Sequence, residues 1–224
     1  MNESESRWQA VLARFGSPAR PRPSAAEPLW LGRSGWAHVA TWLPPSASVV
    51  VLSAKRSPLD WWLEAGSVPA HFGLVYAPHA ADPRVLPVVG AALPRRATVV
   101  FVGDLDPPAI VQYLELRRTA PFRQRLRFGG VDSGWLEAVQ GKLRAPVDLD
   151  RLCIPLSEEE RRLLSLLEQA FPVQKLVGAR AAAILRSGFK VELEGVTNPH
   201  LLGGKRDSWA FALLRRAAAR GRAL

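Results

Sequence analysis

With 224 residues and 48% apolar content the chain can bury a sizeable core. No apolar run reaches the roughly 18 residues a membrane span needs, and the start MNESESRWQA lacks the basic lead and apolar centre of a signal peptide, so a cytoplasmic protein without membrane contact is expected. Its one cysteine, Cys153 in RLCIPLS, rules out an internal disulfide and a cysteine metal site, and the net charge of +10 is uneven. Residues 1–48 and 49–120 hold excesses of two and one positive charges, against seven in residues 121–224. A basic half of this kind suits a polyanion, because each Lys or Arg on a phosphate releases condensed counterions. Arginine serving only as a solubilising residue is the competing explanation.

In chain order, SRWQAVLARFG reads as a short helix and SPARPRPSAAEP, residues 17–28, as a proline-rich linker. The tryptophan-bearing stretch LWLGRSGWAHVATWLPP follows. From Ser48 an alternation sets in: SVVVLS, FGLVYA, ATVVFVG and RLRFGGV have the pattern of short buried strands. Between them SPLDWWLEAG, with Ser57 as cap and Pro58 in its first turn, DPRVLPVVGAAL and PPAIVQYLELRR read as helices. Short strands alternating with helices predict an α/β fold with a parallel four-stranded sheet and crossover helices. After it SEEERRLLSLLEQAF carries a capping box, Ser157 with Glu160, and a leucine stripe. QKLVGARAAAILRSG predicts a helix closed by Gly188, FKVELEGV a half-exposed strand, and RDSWAFALLRRAAARGRAL a final basic helix. The expected division is an N-terminal helix and linker (1–47), an α/β domain (48–150) and a mainly helical C-terminal region with one strand (151–224).

The third strand ends in VVFVGDLDPP, residues 99–108. In a parallel sheet, ligands gather at the carboxyl ends of strands, so Asp104 and Asp106 stand where a hard cation such as magnesium would be held. Asp106 before Pro107 is equally explained as a helix N-cap followed by proline in the first turn. Asp104 has no such structural account.

The segment VVFVGDLDPPAIVQYLELRR resembles the third-strand motif of the Toprim fold. The variant is that of the topoisomerase VI A subunit, its meiotic double-strand-break relatives and the nuclease subunit of Wadjet-type SMC plasmid-defence systems. LRFGGVDSGWL falls where those proteins have a later strand ending in glycine, and LSEEERRLLSLLEQAF is similar to the helix that follows the domain in the Wadjet-type nucleases. The resemblance spans about residues 45 to 175. It implies a magnesium- or manganese-dependent DNA-cutting site, with Asp104 and Asp106 as metal ligands and catalytic groups if the site is active. Haloacid dehalogenase phosphatases also end a strand in DxD, but they continue with Gly-Thr, where Pro107 and Pro108 stand here.

The resemblance further implies a glutamate at the end of the first strand, as general base or metal ligand. The strand in question reads SVVVLSAKRSPLDWWL, with Ser53 or Ala54 at that place and Lys55 and Arg56 directly after. Loss of one of three carboxylates weakens a charge-based cation site. Direct pairing of Lys55 or Arg56 with Asp104 would turn it into an ion pair, and Asp60 or Glu64 reaching back is the alternative.

His38, His71, His79 and His200 lack metal-ligand spacing, and the eight tryptophans lie in apolar runs that favour core packing over base stacking. Lys205 and Arg206, in HLLGGKRDS, sit on a loop where a phosphate could be met. Candidate DNA contacts are Lys55, Arg56, then Arg123, Arg125 and Arg127 on one face of an extended segment, and Arg215, Arg216, Arg220 and Arg222 on the last helix. The sequence thus leads to a DNA-associated Toprim-like component of a plasmid-defence or chromosome-maintenance complex, with an impaired metal site and both duplex DNA and another protein subunit as partners. A protein-docking pseudo-enzyme without DNA contact and an active nuclease are the alternatives.

Overall fold

The computed structural model describes residues 29–34, 37–78, 80–82, 85–143, 148–202 and 208–219. The helix and linker expected before residue 29 lie outside this set, as do His79, Lys205, Arg206, Arg220 and Arg222.

Strands β1 (Leu29–Ser34) and β2 (Ala37–Trp42) form an antiparallel hairpin. Then β3 (Val49–Ser53), helix α1 (Ser57–Glu64), β4 (Phe72–Tyr76), α2 (Leu86–Ala92), β5 (Thr98–Val102), α3 (Pro107–Thr119) and β6 (Leu126–Phe128) follow as an alternating series. Among the described residues the sheet has six strands in the order β1-β2-β4-β3-β5-β6, with β4, β3, β5 and β6 mutually parallel. The four expected strands are therefore present and parallel. The expectation of a sheet limited to four strands is corrected by the hairpin, which joins it through antiparallel pairing of β2 with β4.

Every residue of β3 is buried, which its unbroken apolar run requires, since a parallel sheet is covered on both faces. One face carries Phe101 and Phe128, which pack their rings on Tyr113 of α3. The other carries Phe72 and Val100.

Beyond the sheet lie α4 (Ser133–Gln140), β7 (Cys153–Pro155), α5 (Glu158–Ala170), α6 (Val173–Val177), α7 (Ala179–Arg186), β8 (Phe189–Val191), α8 (Leu193–Thr197) and α9 (Ser208–Ala219). α9 returns to the sheet: the Phe211 ring sits 5.0 Å from Phe72 and 5.2 Å from Trp62 of α1, both edge-on. Buried side chains from the sheet and from the later helices form one continuous cluster.

Three local readings change. Ser57 is the first residue of α1 rather than its cap, and Arg56 precedes it. The single helix expected over 174–188 is broken at Gly178, whose φ of +83° suits glycine. There Ser133 of α4 accepts the Ala181 N–H at 3.1 Å, so the second helix is capped from a distant segment. FKVELEGV is a strand only over Phe189–Val191 and turns helical from Leu193.

Candidate functional site

The crossover from β3 to β4 leads one way along the sheet, and the chain then passes back over β3 to reach β5. The carboxyl ends of β3 and β5 therefore flank the point where the winding reverses, the crevice that ligands use in open α/β sheets. Ser53 pairs with Val102 at that edge, which places Lys55 and Asp104 opposite each other on the two loops beyond.

Asp104 and Asp106 are both 8% exposed. Asp106 caps α3 as its sequence position predicts, accepting the Ala109 N–H at 2.7 Å with Pro107 in the first turn. Asp104 has two partners. Its Oδ1 accepts the backbone N–H of Leu193 at 2.8 Å, and its Oδ2 lies 3.2 Å from the Lys55 ammonium. The pairing expected of Lys55 is thus present, while Arg56 pairs with Asp60 at 2.9 Å instead. Lys55 also reaches Glu194 at 3.3 Å.

The segment from Phe189 to Thr197 closes the crevice. Leu105, between the two aspartates, donates its N–H to the Val191 carbonyl at 2.8 Å and accepts the Val191 N–H at 3.3 Å. Leu105, Val191 and Leu193 are fully buried there. Lys190 meets Glu160 of the capping box at 2.7 Å, and Ser157 completes that box by accepting the Glu160 N–H at 3.1 Å.

Burial pushes the Asp106 carboxyl up to about 6, helped by the negative neighbours Asp104 and Glu160 and opposed by the Ala109 N–H and Lys190. Burial alone would lower the Lys55 ammonium, but Asp104 and Glu194 outweigh it and raise the group above its ordinary value. Glu160 is held below the usual carboxylate range: burial opposes this, and the hydrogen bonds from Lys190 and Ser157 prevail.

Both Asp104 oxygens are engaged, one Asp106 oxygen caps a helix, and among the described residues no three His, Cys, Asp or Glu side chains lie close enough to share a metal. The arrangement is a part-buried ionic network in which the Lys55 ammonium faces Asp104 and Glu194.

Sequence reasoning found Asp104, Asp106 and Lys55 but missed Glu194, Lys190 and the Leu193 N–H. VELEGV alternates like a strand, and nothing local marks Glu194 as the partner of a lysine 139 positions earlier.

The basic candidates fall in different places. Arg123 and Arg125 lie on a 3-10 turn, not an extended strand, so the one-face grouping with Arg127 is corrected: alternation does not apply within that turn. Arg125 is half-buried and donates Nη1 to the carbonyls of Pro94 and Ala97, at 2.6 and 2.5 Å. Arg127 donates to the carbonyls of Gln124 and Leu126. Arg123, Arg215 and Arg216 are exposed. Of the tryptophans, Trp62 and Trp135 are core residues, as their apolar setting predicts. Cys153 is half-buried, and burial raises its thiol pKa. Among the described residues no helix is long and apolar enough to cross a membrane. No protein-family model matches the sequence, and comparison with curated proteins finds no significant match.

Proposed function

We propose that this chain is a Toprim-like, DNA-associated component of a plasmid-defence or chromosome-maintenance complex that does not itself cut DNA. The observation that carries the non-cutting part is the Lys55 ammonium set between Asp104 and Glu194 at the reversal point of the sheet. A lysine there supplies one fixed positive charge to a crevice that in DNA-cutting relatives would attract a divalent ion. It can hydrogen-bond a phosphate oxygen but cannot coordinate it, nor acidify a bound water as a divalent Lewis acid does. The motif GDLDPP is then retained for structure: Asp106 starts α3 and Asp104 fastens the Leu193 backbone.

Supercoiled plasmid incubated with the chain and manganese is expected to stay intact. Manganese titration should give no affinity tighter than about 1 mM, the weak end for carboxylate sites. Cleavage that disappears in Asp104→Ala would overturn the proposal. The DNA-associated part rests on the basic C-terminal half and on the exposed Arg215 and Arg216. It predicts duplex binding whose logarithmic salt slope falls by about 0.9 for each arginine removed from a phosphate.

A second reading has its own support. Arg56, Arg125 and Arg127 are engaged within the chain, which favours a docking subunit that meets protein and not DNA. Absence of salt-dependent duplex binding would select it.

A further inference from the structure

The opposite edge of the molecule, at the amino ends of the parallel strands, carries a feature unrelated to the carboxylates. A groove of about 740 Å³ lies between α2 and the end of α3, lined by Leu86, Pro87, Ala91, Pro121, Phe122 and Arg125. Its wall is mainly apolar. Its surroundings are strongly basic: residues 86–97 and 115–127 hold seven arginines against one glutamate, Glu115. Arg118 adjoins the groove residue Thr119, and Arg123 adjoins Phe122. Arg95 and Arg96 lie between Pro94 and Ala97, whose carbonyls Arg125 grips. All four of these arginines are exposed.

We infer that this groove docks an acidic segment of a partner protein, with apolar side chains seated against Leu86, Pro87, Ala91 and Pro121 and carboxylates facing Arg95, Arg96, Arg118 and Arg123. The pairing of an apolar floor with a rim of one sign fixes the chemistry of the occupant. An amphipathic peptide offers apolar anchors and carboxylates together. Duplex DNA matches the rim but presents nothing to fill an apolar groove. Single-stranded nucleic acid would need an aromatic face for stacking, and Phe122, the aromatic residue in the wall, is only 2% exposed. Arg125 is a positioning residue: it ties the 94–97 turn to the 3-10 turn and so fixes the spacing of the rim. The inference shares Arg123 and Arg125 with the DNA reading, and it stands whether or not the carboxylate crevice binds metal.

The test is a selection of displayed random peptides of about 16 residues on the immobilised full chain, with two variants as comparison. One is Arg95→Glu, Arg96→Glu and Arg123→Glu together; the other is Ala91→Glu, which puts a carboxylate in the groove. All four positions are exposed, and unchanged thermal melting verifies the fold. The expected peptides combine Asp or Glu with Leu, Ile, Phe or Trp, and their affinity falls about tenfold or more in both variants. Recovery of no peptide, peptides without acidic excess, or affinity unmoved by both variants would overturn the inference. So would a duplex of about 20 base pairs that loses binding in the triple variant alone when no peptide is recovered, because the arginines would then serve phosphates.

Discussion

Asp106 holds its charge where burial disfavours it, and the helix cap is the reason it stays. A carboxyl raised from 3.8 to about 6 binds its proton more tightly in the folded chain than in the unfolded one. Stability therefore declines as pH climbs from about 4 to about 6 and levels off above, a penalty of about 3 kcal/mol at two pKa units. Asn caps helices as well as Asp, so Asp106→Asn should keep the Ala109 bond and gain about 1–2 kcal/mol at pH 7, with the slope between pH 4 and 6 flattened. Urea denaturation across that range reads both effects. Lys55→Met has the opposite sign. It leaves Asp104 and Glu194 without their ammonium, and the expected loss is about 1–3 kcal/mol at pH 7, below that of a fully buried pair because Lys55 is one-third exposed.

The elements owe their ends to single residues. A Cβ on Gly129 would overlap Val100 Cγ1, a stiff valine inside β5, with Leu214 of α9 behind it. Gly129→Ala should therefore cost about 1–3 kcal/mol, seen as a lower melting temperature. Ser157→Ala should cost about 1 kcal/mol, since it removes one half of the α5 capping box. Features of this kind were legible beforehand, because a cap and its first turn are written within four residues. Three of the parallel strands, β3, β4 and β5, were legible for a similar reason: a strand covered on both faces is a nearly unbroken apolar run, whereas β6 at the sheet edge alternates around Arg127. The β1–β2 hairpin was not read, although Gly35-Trp36 between two apolar stretches is a two-residue interval opening on glycine, a known hairpin signal. Helix α8 could not be read at all, since the carboxylate at its start belongs to Asp104, 89 residues away. The Asp106 cap and the Lys55–Asp104 pair were visible beforehand, and the contacts brought by residues 190–194 were not.

At the scale of the whole molecule, α9 completes one face of the sheet. Ala210, Phe211, Leu214 and Ala217 are buried there, and Phe211 bridges Trp62 and Phe72. A chain ending at residue 207 is expected to lose cooperative thermal melting and to bind a hydrophobic dye, because that apolar face is then open to water. Dye binding and calorimetry measure it together. The same placement sets a timetable for biosynthesis. The ribosome makes β3 through β6 well before the helix that shields them, and Lys55 waits for Glu194 until most of the chain has been translated. A nascent chain thus exposes a sticky apolar surface for much of its elongation. Folding of the finished product is expected to be slow for its length, because these contacts join distant segments, and stopped-flow refolding measures it.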